Sequence, residues 1–400
     1  MDLISVNEAL KIVLNHTTDF GVETVNFMNA FNRVLKEPIT ADRDFPPFDR
    51  VSMDGVAVDI EVFNKGQREF NIEGVQAAGS EQLTLKNPSN CIEVMTGAVM
   101  PKNADAVIKY ELTETIAKHI FLKSDALKQG DNVHKQGSDC AKGTLLLEPN
   151  ILIGAAEIGI LASVGKNRVR VAKQPKICVI STGDELVEVS QTPLPHQIRR
   201  SNVFTLEALL KRLNLKSTSF HIKDNKAVLK QNIEDLLNHY DVLLLSGSVS
   251  KGKFDFIPEV LNELGVKKRF HQVKQRPGKP FWFGKKGDKT IFAFPGNPVS
   301  TFVNCVKYFY PWYYKSVGLN FENKQQAILS EDFYFKPEMT YFLQVKLTQV
   351  EGKLMATPIS GKGSGDLANL ALADAFLELP DNRSNFTKGE VFPILRYRSV

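Results

Sequence analysis

From Lys176 onward the chain alternates short strand-like runs, KICVIST continuously apolar among them, with longer segments of helical spacing. No other feature constrains the fold as much. KICVIST, STSFHI, YDVLLLSG and KTIFAF read as strands, and SNVFTLEALLKRLN, KAVLKQNIEDLLNH, DFIPEVLNEL and PVSTFVNCVKYFY read as helices. Strands that are apolar at every position have to be covered on both faces. The alternation therefore predicts a doubly wound parallel α/β sheet. Ser201 and Asn297 stand where helix N-caps belong, and Pro298 takes a first helical position.

The flanks have a different rhythm. Residues 49 to 145 alternate short β-like runs with Gly and Pro (GVAVDIEVF, NCIEVM, DAVIKYELTE), which predicts a small β-rich module. The tail from about Phe321 returns to strands (DFYFK, TYFLQVKLTQV, LMATPI, AFLELP, VFPILRY), a separate β domain of barrel type. The start, MDLISVNEALKIVLNH, reads as an amphipathic helix with Val6, Leu10 and Val13 on one stripe, not as a signal peptide. A length of 400 residues accommodates these parts, since one domain takes about 150 residues.

Composition removes several classes. Hydrophobic residues at 43% and charged residues at 24% are those of a globular chain, which excludes disorder and a collagen-like or membrane-dominated protein. The most apolar stretch, Ile151 to Gly165, is too short to span a bilayer and carries Glu157, so it is expected to be a buried helix. Cys91, Cys140, Cys178 and Cys305 form neither a CxxC pair nor a disulfide framework, which points to a reducing cytoplasm. A net charge of +5, without an aromatic-basic stripe, gives no case for nucleic acid.

In an open α/β sheet, ligands bind outside the carboxyl ends of the strands. KICVIST runs into Gly183-Asp184-Glu185, STSFHI into Lys223-Asp224, YDVLLLSG into Ser248-Val249-Ser250-Lys251-Gly252-Lys253-Phe254-Asp255, and KTIFAF into Pro295-Gly296-Asn297-Pro298-Val299-Ser300. Four strand ends thus carry glycine, hydroxyl or carboxylate groups. SGSVSKG has the composition of an anion cradle, in which small residues let backbone N–H groups converge. The carboxylates Asp184, Glu185, Asp224 and Asp255 lie on three of these loops, and oxygen ligands beside an anion cradle suit Mg²⁺. Lys274, Arg276 and Lys279 form a basic loop hardened by Pro277 and Pro280, while Phe281 and Trp282 read as core. His134, His221 and His271 show no metal-ligand or triad spacing and are expected to be structural.

Seven ordered segments resemble the molybdopterin molybdenumtransferase family, which includes the C-terminal domain of gephyrin: DFPPFDRVSMDGVAV, VMTGAVMP, KQGSDCAKG, ISTGDEL, SGSVSKGKFDF, RPGKPFWFG and PGNPVS. The resemblance spans nearly the whole chain. It implies four domains: an α/β molybdopterin-binding domain (1–24 and 167–318), a linker and dimerisation domain (25–46 and 143–166), a β-rich domain (47–142) and a C-terminal β domain (319–400). The reaction it implies is Mg²⁺-assisted hydrolysis of adenylylated molybdopterin, with molybdate as co-substrate, molybdenum insertion and AMP release. It casts Glu185, Asp224 and Asp255 as the acidic, metal-holding residues and Lys279 as the oxyanion's basic partner. Asp54, Thr96 and Asp139 would reach the cleft from the second protomer, so a homodimer is implied. The adenylyltransferase of the pathway and molybdoenzyme-loading proteins are further implied partners. Thr182, Gly183, Asp184, Gly247, Ser248, Ser250, Gly252, Arg276, Pro295, Gly296, Asn297, Pro298, Ser300 and Ser364 would line the substrate site.

The sequence departs from the family pattern in places. Arg276 replaces the first Lys of Lys-Pro-Gly-Lys-Pro, exchanging a point charge for a planar fork. Ser246-Gly247 replaces a glycine pair. PEMTYFLQV replaces an Arg-rich start of the C-terminal domain, so no arginine role is expected there. The rival readings are a molybdopterin adenylyltransferase, which is a lone α/β domain without the flanking modules, and a non-catalytic scaffold of the same fold.

Overall fold

The computed structural model describes residues 3–249, 255–319, 325–336, 338–361 and 363–398. Its centre is a six-stranded sheet in the order Ser217–Ile222, Ile177–Thr182, Val242–Ser246, Lys289–Phe294, Trp282–Lys286, Lys267–His271. The first four strands are parallel, as the alternation predicts. Trp282–Lys286 runs antiparallel to both of its neighbours, so the sheet is mixed rather than wholly parallel. Gly287 and Asp288 turn the chain straight back between Lys286 and Lys289, and so short a link permits only an antiparallel pair.

Alternate residues of each parallel strand enter opposite cores. Ile177, Val179, Val242, Leu244, Phe292 and Phe294 join a cluster with helices Asn202–Arg212 and Pro298–Asn304. Cys178, Ile180, Leu243, Leu245, Ile291 and Ala293 join another with helices Lys226–His239 and Ile257–Glu263. This double cover is why Ile177–Thr182, Val242–Ser246 and Lys289–Phe294 show no polar face, whereas the edge strand Ser217–Ile222 alternates half-buried and exposed positions. Phe281 and Trp282 are fully buried, as expected. The N-terminal helix Val6–Leu14 packs Val6, Ala9 and Val13 into the first core, with Leu10 at its margin.

Strand Val22–Asn26 pairs with Arg168–Ala172, and Ile39–Thr40 pairs with Leu145–Leu147, so the chain leaves and re-enters a small linker unit through paired segments. Between them lies a six-stranded sheet built from residues 55 to 122, with its own apolar clusters. The expectation of a buried helix over residues 151–165 is corrected. The helix is Ala155–Ser163, and Leu161 is its one buried residue. It packs Leu161, with Ile158 and Ile160 at the margin, into the small linker core beside Phe27–Ala30; that core is too thin to cover the helix, so its other side stays open.

In the C-terminal region Thr340–Val350 pairs with both Lys353–Pro358 and Ala375–Leu379. Gln326–Leu329 and Val391–Arg396 complete the ring, closing a five-stranded barrel. Among the described residues no helix is long and apolar enough to cross a membrane.

Candidate functional site

The strand order fixes where a ligand can enter. The chain passes from Ile177–Thr182 outward to Ser217–Ile222, then crosses back to Val242–Ser246 on the other side. That reversal opens a crevice at the carboxyl ends of the strands. Register aligns the loops: Ser181 lies opposite Ser246, and Ser246 opposite Phe294. Gly183, Gly247 and Pro295 therefore leave the sheet at one level.

Hydrogen bonds join these loops. Thr182 Oγ1 donates to Ser248 Oγ at 2.9 Å, and Ser248 Oγ donates to Asp224 Oδ1 at 2.9 Å. The Asp224 N–H reaches Asp184 Oδ1 at 3.3 Å. Gly247 has φ +108°, and a Cβ there would lie 2.8 Å from the Thr182 carbonyl oxygen. Only glycine fits so close a turn. Across the crevice, Asn202 Nδ2 donates to Ser246 Oγ at 2.9 Å and to the Gly296 carbonyl oxygen at 2.6 Å. Thr301 Oγ1 ties back to the Pro295 carbonyl oxygen at 2.6 Å. Neither Asn202 nor Thr301 was marked by its sequence setting, because each reads as an ordinary helix residue.

Charge is crowded at this end. Burial raises the Asp224 carboxyl above its usual range; the Ser248 hydrogen bond opposes the rise, and the nearby charges of Asp184, Glu185 and Asp255 add to it. The structure thus brings together the four carboxylates expected at the strand ends. Among the described residues, however, no three His, Cys, Asp or Glu side chains are gathered as a ready-made metal cage. Glu185, Asp224 and Asp255 are neighbours in charge, not a formed ligand triad. Ser250 and Gly252, with Lys251 and Lys253, lie outside the described residues.

Two of the expected caps work differently. Asn297 begins the helix Pro298–Asn304, but its side chain does not cap it. Its Nδ2 donates instead to Ser364 Oγ at 2.8 Å, and the Val299 N–H donates to the Ser364 carbonyl oxygen at 3.1 Å. These bonds join the C-terminal region to the crevice. Ser201 likewise makes no side-chain cap. Ser300 is buried beneath the same turn.

Beside Ser364 is a cavity of about 280 Å³ lined by Arg276, Pro277, Tyr341, Gln344, Ser364 and Asn369, among others. Asn369 Nδ2 donates to Gln344 Oε1, so an amide pair stands where an Arg-rich segment would supply charge. In the basic loop, Lys274 is spent on Asp381 at 3.1 Å and the Arg276 guanidinium lies 6.0 Å from the Phe335 ring centre. Lys279 is exposed, and its backbone carbonyl holds the loop by accepting from Val273 and Phe281.

Asp54, Thr96 and Asp139 are placed elsewhere. Asp54 Oδ1 accepts the Thr96 N–H at 2.6 Å, and this bond lowers its pKa. Asp139 Oδ1 lies 2.7 Å from His134 Nε2, whose Nδ1 faces Arg50 Nη2 at 3.2 Å. All these partners lie between Arg50 and Asp139, so within one chain the three residues are not joined to the crevice by these bonds. His221 Nδ1 meets Ser181 Oγ at 3.1 Å, and His271 Nε2 meets the Val249 carbonyl oxygen at 2.8 Å. Both have the structural role expected of them.

A mixed α/β sheet with an acidic, glycine-lined crevice at its carboxyl ends, flanked by a β module and a small barrel, defines a class of multidomain proteins with a ligand site at the sheet's switch point. The chain matches three family models in succession: the MoeA N-terminal region (domains I and II) over residues 4–165, a probable molybdopterin binding domain over 178–313, and the MoeA C-terminal region (domain IV) over 326–397. It is 40% identical to the molybdopterin molybdenumtransferase of a Synechocystis strain, covering 98% of this chain and 99% of that one. It is 30% identical to the Bacillus subtilis protein of the same name, covering 99% and 94%. A crystal structure of the molybdopterin biosynthesis MoeA protein from Pyrococcus horikoshii superimposes with a TM-score of 0.83 at 30% identity, covering all of both chains. The chain therefore belongs to the molybdopterin molybdenumtransferase family of molybdenum cofactor biosynthesis.

Proposed function

We propose that this chain hydrolyses adenylylated molybdopterin and places molybdenum on the dithiolene, releasing AMP. One observation carries the reading: Asp184, Glu185, Asp224 and Asp255 converge on the Gly247-Ser248 turn at the switch point of the sheet. Such convergence is costly unless a cation neutralises it. Water attacks one phosphorus of the anhydride, and the bridging oxygen leaves with the other.

The donor set fits Mg²⁺. The crowded charge that pushes Asp224 up is what a divalent cation relieves, and Mg²⁺ needs only one or two carboxylates besides substrate phosphates, so a three-residue cage is not required. Glu185, Asp224 and Asp255 would hold it, and bound there it would supply positive charge to the anhydride oxygens. Ser248 holds Asp224 in place through its hydroxyl, and Thr182 holds Ser248. Arg276 and Ser364 line the 280 Å³ cavity, and this positive, hydroxyl-bearing lining, with Lys279 in the same loop, supports it as the molybdate site.

The same reading takes the active form as a homodimer in the cytoplasm, with Asp54, Thr96 and Asp139 completing the partner's cleft. Exposed Val22, Met28, Phe31 and Leu152 on the linker unit support an interface there. It also divides the chain into the four domains stated above, consistent with paired strands at the linker's entry and exit.

Supplying adenylylated molybdopterin, Mg²⁺ and molybdate should release AMP and yield active cofactor. No AMP release would sink the proposal. Consumption of ATP with plain molybdopterin would establish the adenylyltransferase reaction instead.

A further inference from the structure

At the amino end of the parallel strands, far from the crevice, lies a second cavity of about 390 Å³ lined by His16, Lys267, Arg269, Lys285 and Lys286, among others. The six-residue strand Lys289–Phe294 separates it from Pro295 by roughly 20 Å. The backbone register places Lys267 directly opposite Lys285 on antiparallel strands, and like charges so placed are destabilising. Register shifts between Lys268 and Phe270, and the unpaired residue there is Arg269. Bulges of this kind re-aim a side chain, and Arg269 lines the cavity.

Among the described residues no carboxylate forms an ion pair with Lys267, Arg269, Lys285 or Lys286, whereas Lys226, Lys230 and Lys289 on the same domain are all paired. Asp288 is the acidic group whose charge acts on Lys285. Lysines on an edge strand commonly guard against sheet-to-sheet pairing, and Lys267 has that position. Lys285 does not. It belongs to the interior strand Trp282–Lys286, is half-buried, and donates from Nζ to Thr18 Oγ1 at 2.7 Å. Burial lowers its pKa; Asp288 opposes that effect and Arg269 adds to it.

We infer that this pocket binds a small phosphate-bearing polyanion, a di- or triphosphate chain, at a site separate from the catalytic crevice. A concave pocket with a half-buried ammonium suits a compact oxyanion better than the flat face of an acidic protein. Phosphate oxygens would accept from Lys285, Lys267 and Arg269 and remove the repulsion between facing strands.

Calorimetric titration of the full chain with inorganic tripolyphosphate, and separately with ADP, tests this. Saturable one-to-one binding is expected, weakening as salt rises. Lys285→Gln and Arg269→Gln should each weaken it by about 10-fold or more, while Arg276→Gln, on the crevice side, should not. Equal affinity for both probes, lost together in Lys285→Gln, assigns the phosphate chain alone. Tighter ADP counts as a nucleoside contact here only if Lys285→Gln weakens it. ADP binding untouched by Lys285→Gln belongs to the crevice and counts against this pocket. A thermal scan keeps the test sound if a variant folds poorly: tripolyphosphate should raise the wild-type Tm and leave that of Lys285→Gln unmoved. Binding lost in Arg276→Gln but kept in Lys285→Gln would overturn the inference. So would no binding at all, or binding of hexaglutamate in place of both phosphates.

Discussion

Asp54 and Asp224 are both aspartates on turns at strand ends, but their surroundings push them in opposite directions. Asp54 precedes Gly55, where a Cβ would lie 1.9 Å from the Ile108 carbonyl oxygen; the strand can therefore press close and hold Asp54 beside the Thr96 N–H. That hydrogen bond favours the ionised form. Asp224 receives a bond from Ser248, yet burial and three acidic neighbours disfavour its charge. One carboxylate is satisfied within its own module. The other is left in conflict, and conflicts of this kind collect at sites where a ligand resolves them.

The largest effect that could break this contrast comes from removing each charge. Asp224→Asn keeps an acceptor for Ser248 but loses the negative charge. AMP release should fall by ~10²–10³-fold, the scale of a lost electrostatic contact to the reacting group, while Tm stays level or rises. Asp54→Asn should lower Tm as well as activity. If Asp224→Asn were the less stable variant, the conflict at Asp224 would not exist.

The contrast also has a spatial side, since Asp54 bonds to Thr96 in the β-rich module and not to any residue of the crevice. Asp54→Ala and Asp255→Ala proteins, each inactive, should regain activity when mixed and allowed to exchange subunits. Random pairing leaves about a quarter of the sites intact in a two-fold dimer. An inactive mixture with proven heterodimers would show that Asp54 does not serve the partner's site.

Smaller effects probe the scaffold beneath Asp224. Gly247→Ala forces a side chain onto Thr182 at a positive φ, which should cost about 1–3 kcal/mol in denaturant unfolding. Asn202→Ala cuts the tie between Ser246 and Gly296 and should cost about 1 kcal/mol. A loss larger than that of Gly247→Ala would mean that Asn202, and not the turn, sets the crevice.

Asn202 also marks a limit of what the sequence shows. Three of the parallel strands were legible because two-sided burial leaves a continuous apolar run, and the edge strand Ser217–Ile222 by its place between two helical segments; their polar exits followed from chain direction alone. The strand Lys267–His271 was hidden because an edge strand keeps its charges. Trp282–Lys286 was hidden because it begins inside the segment read as a basic loop. Closure of the barrel depends on Thr340–Val350 pairing on both edges, a long-range fact that no local pattern carries. Within the site, the glycines and carboxylates stood out by residue type. Asn202 and the Gln344–Asn369 pair did not, because their work is done across elements distant in sequence.

The finest test of the contrast is pH, read as Tm in EDTA for the wild type and the two Asn variants. Asp54 has a folded pKa below the 3.8 usual for an aspartate, because the Thr96 N–H bonds its carboxylate. Its contribution to stability is fully present above pH 3.8 and is lost as pH falls through the lower, folded value. Asp224 has a folded pKa above the same 3.8. Its charge is a penalty, fully felt above the raised value and gone below 3.8. The wild type should therefore be more stable than Asp54→Asn and less stable than Asp224→Asn near neutrality. Acidification closes both gaps, but at different points. The Asp224 gap should begin to close first, above pH 3.8, and the Asp54 gap only below it. Gaps of the same sign, or a reversed order of closing, would mean that the two aspartates do not feel opposite fields.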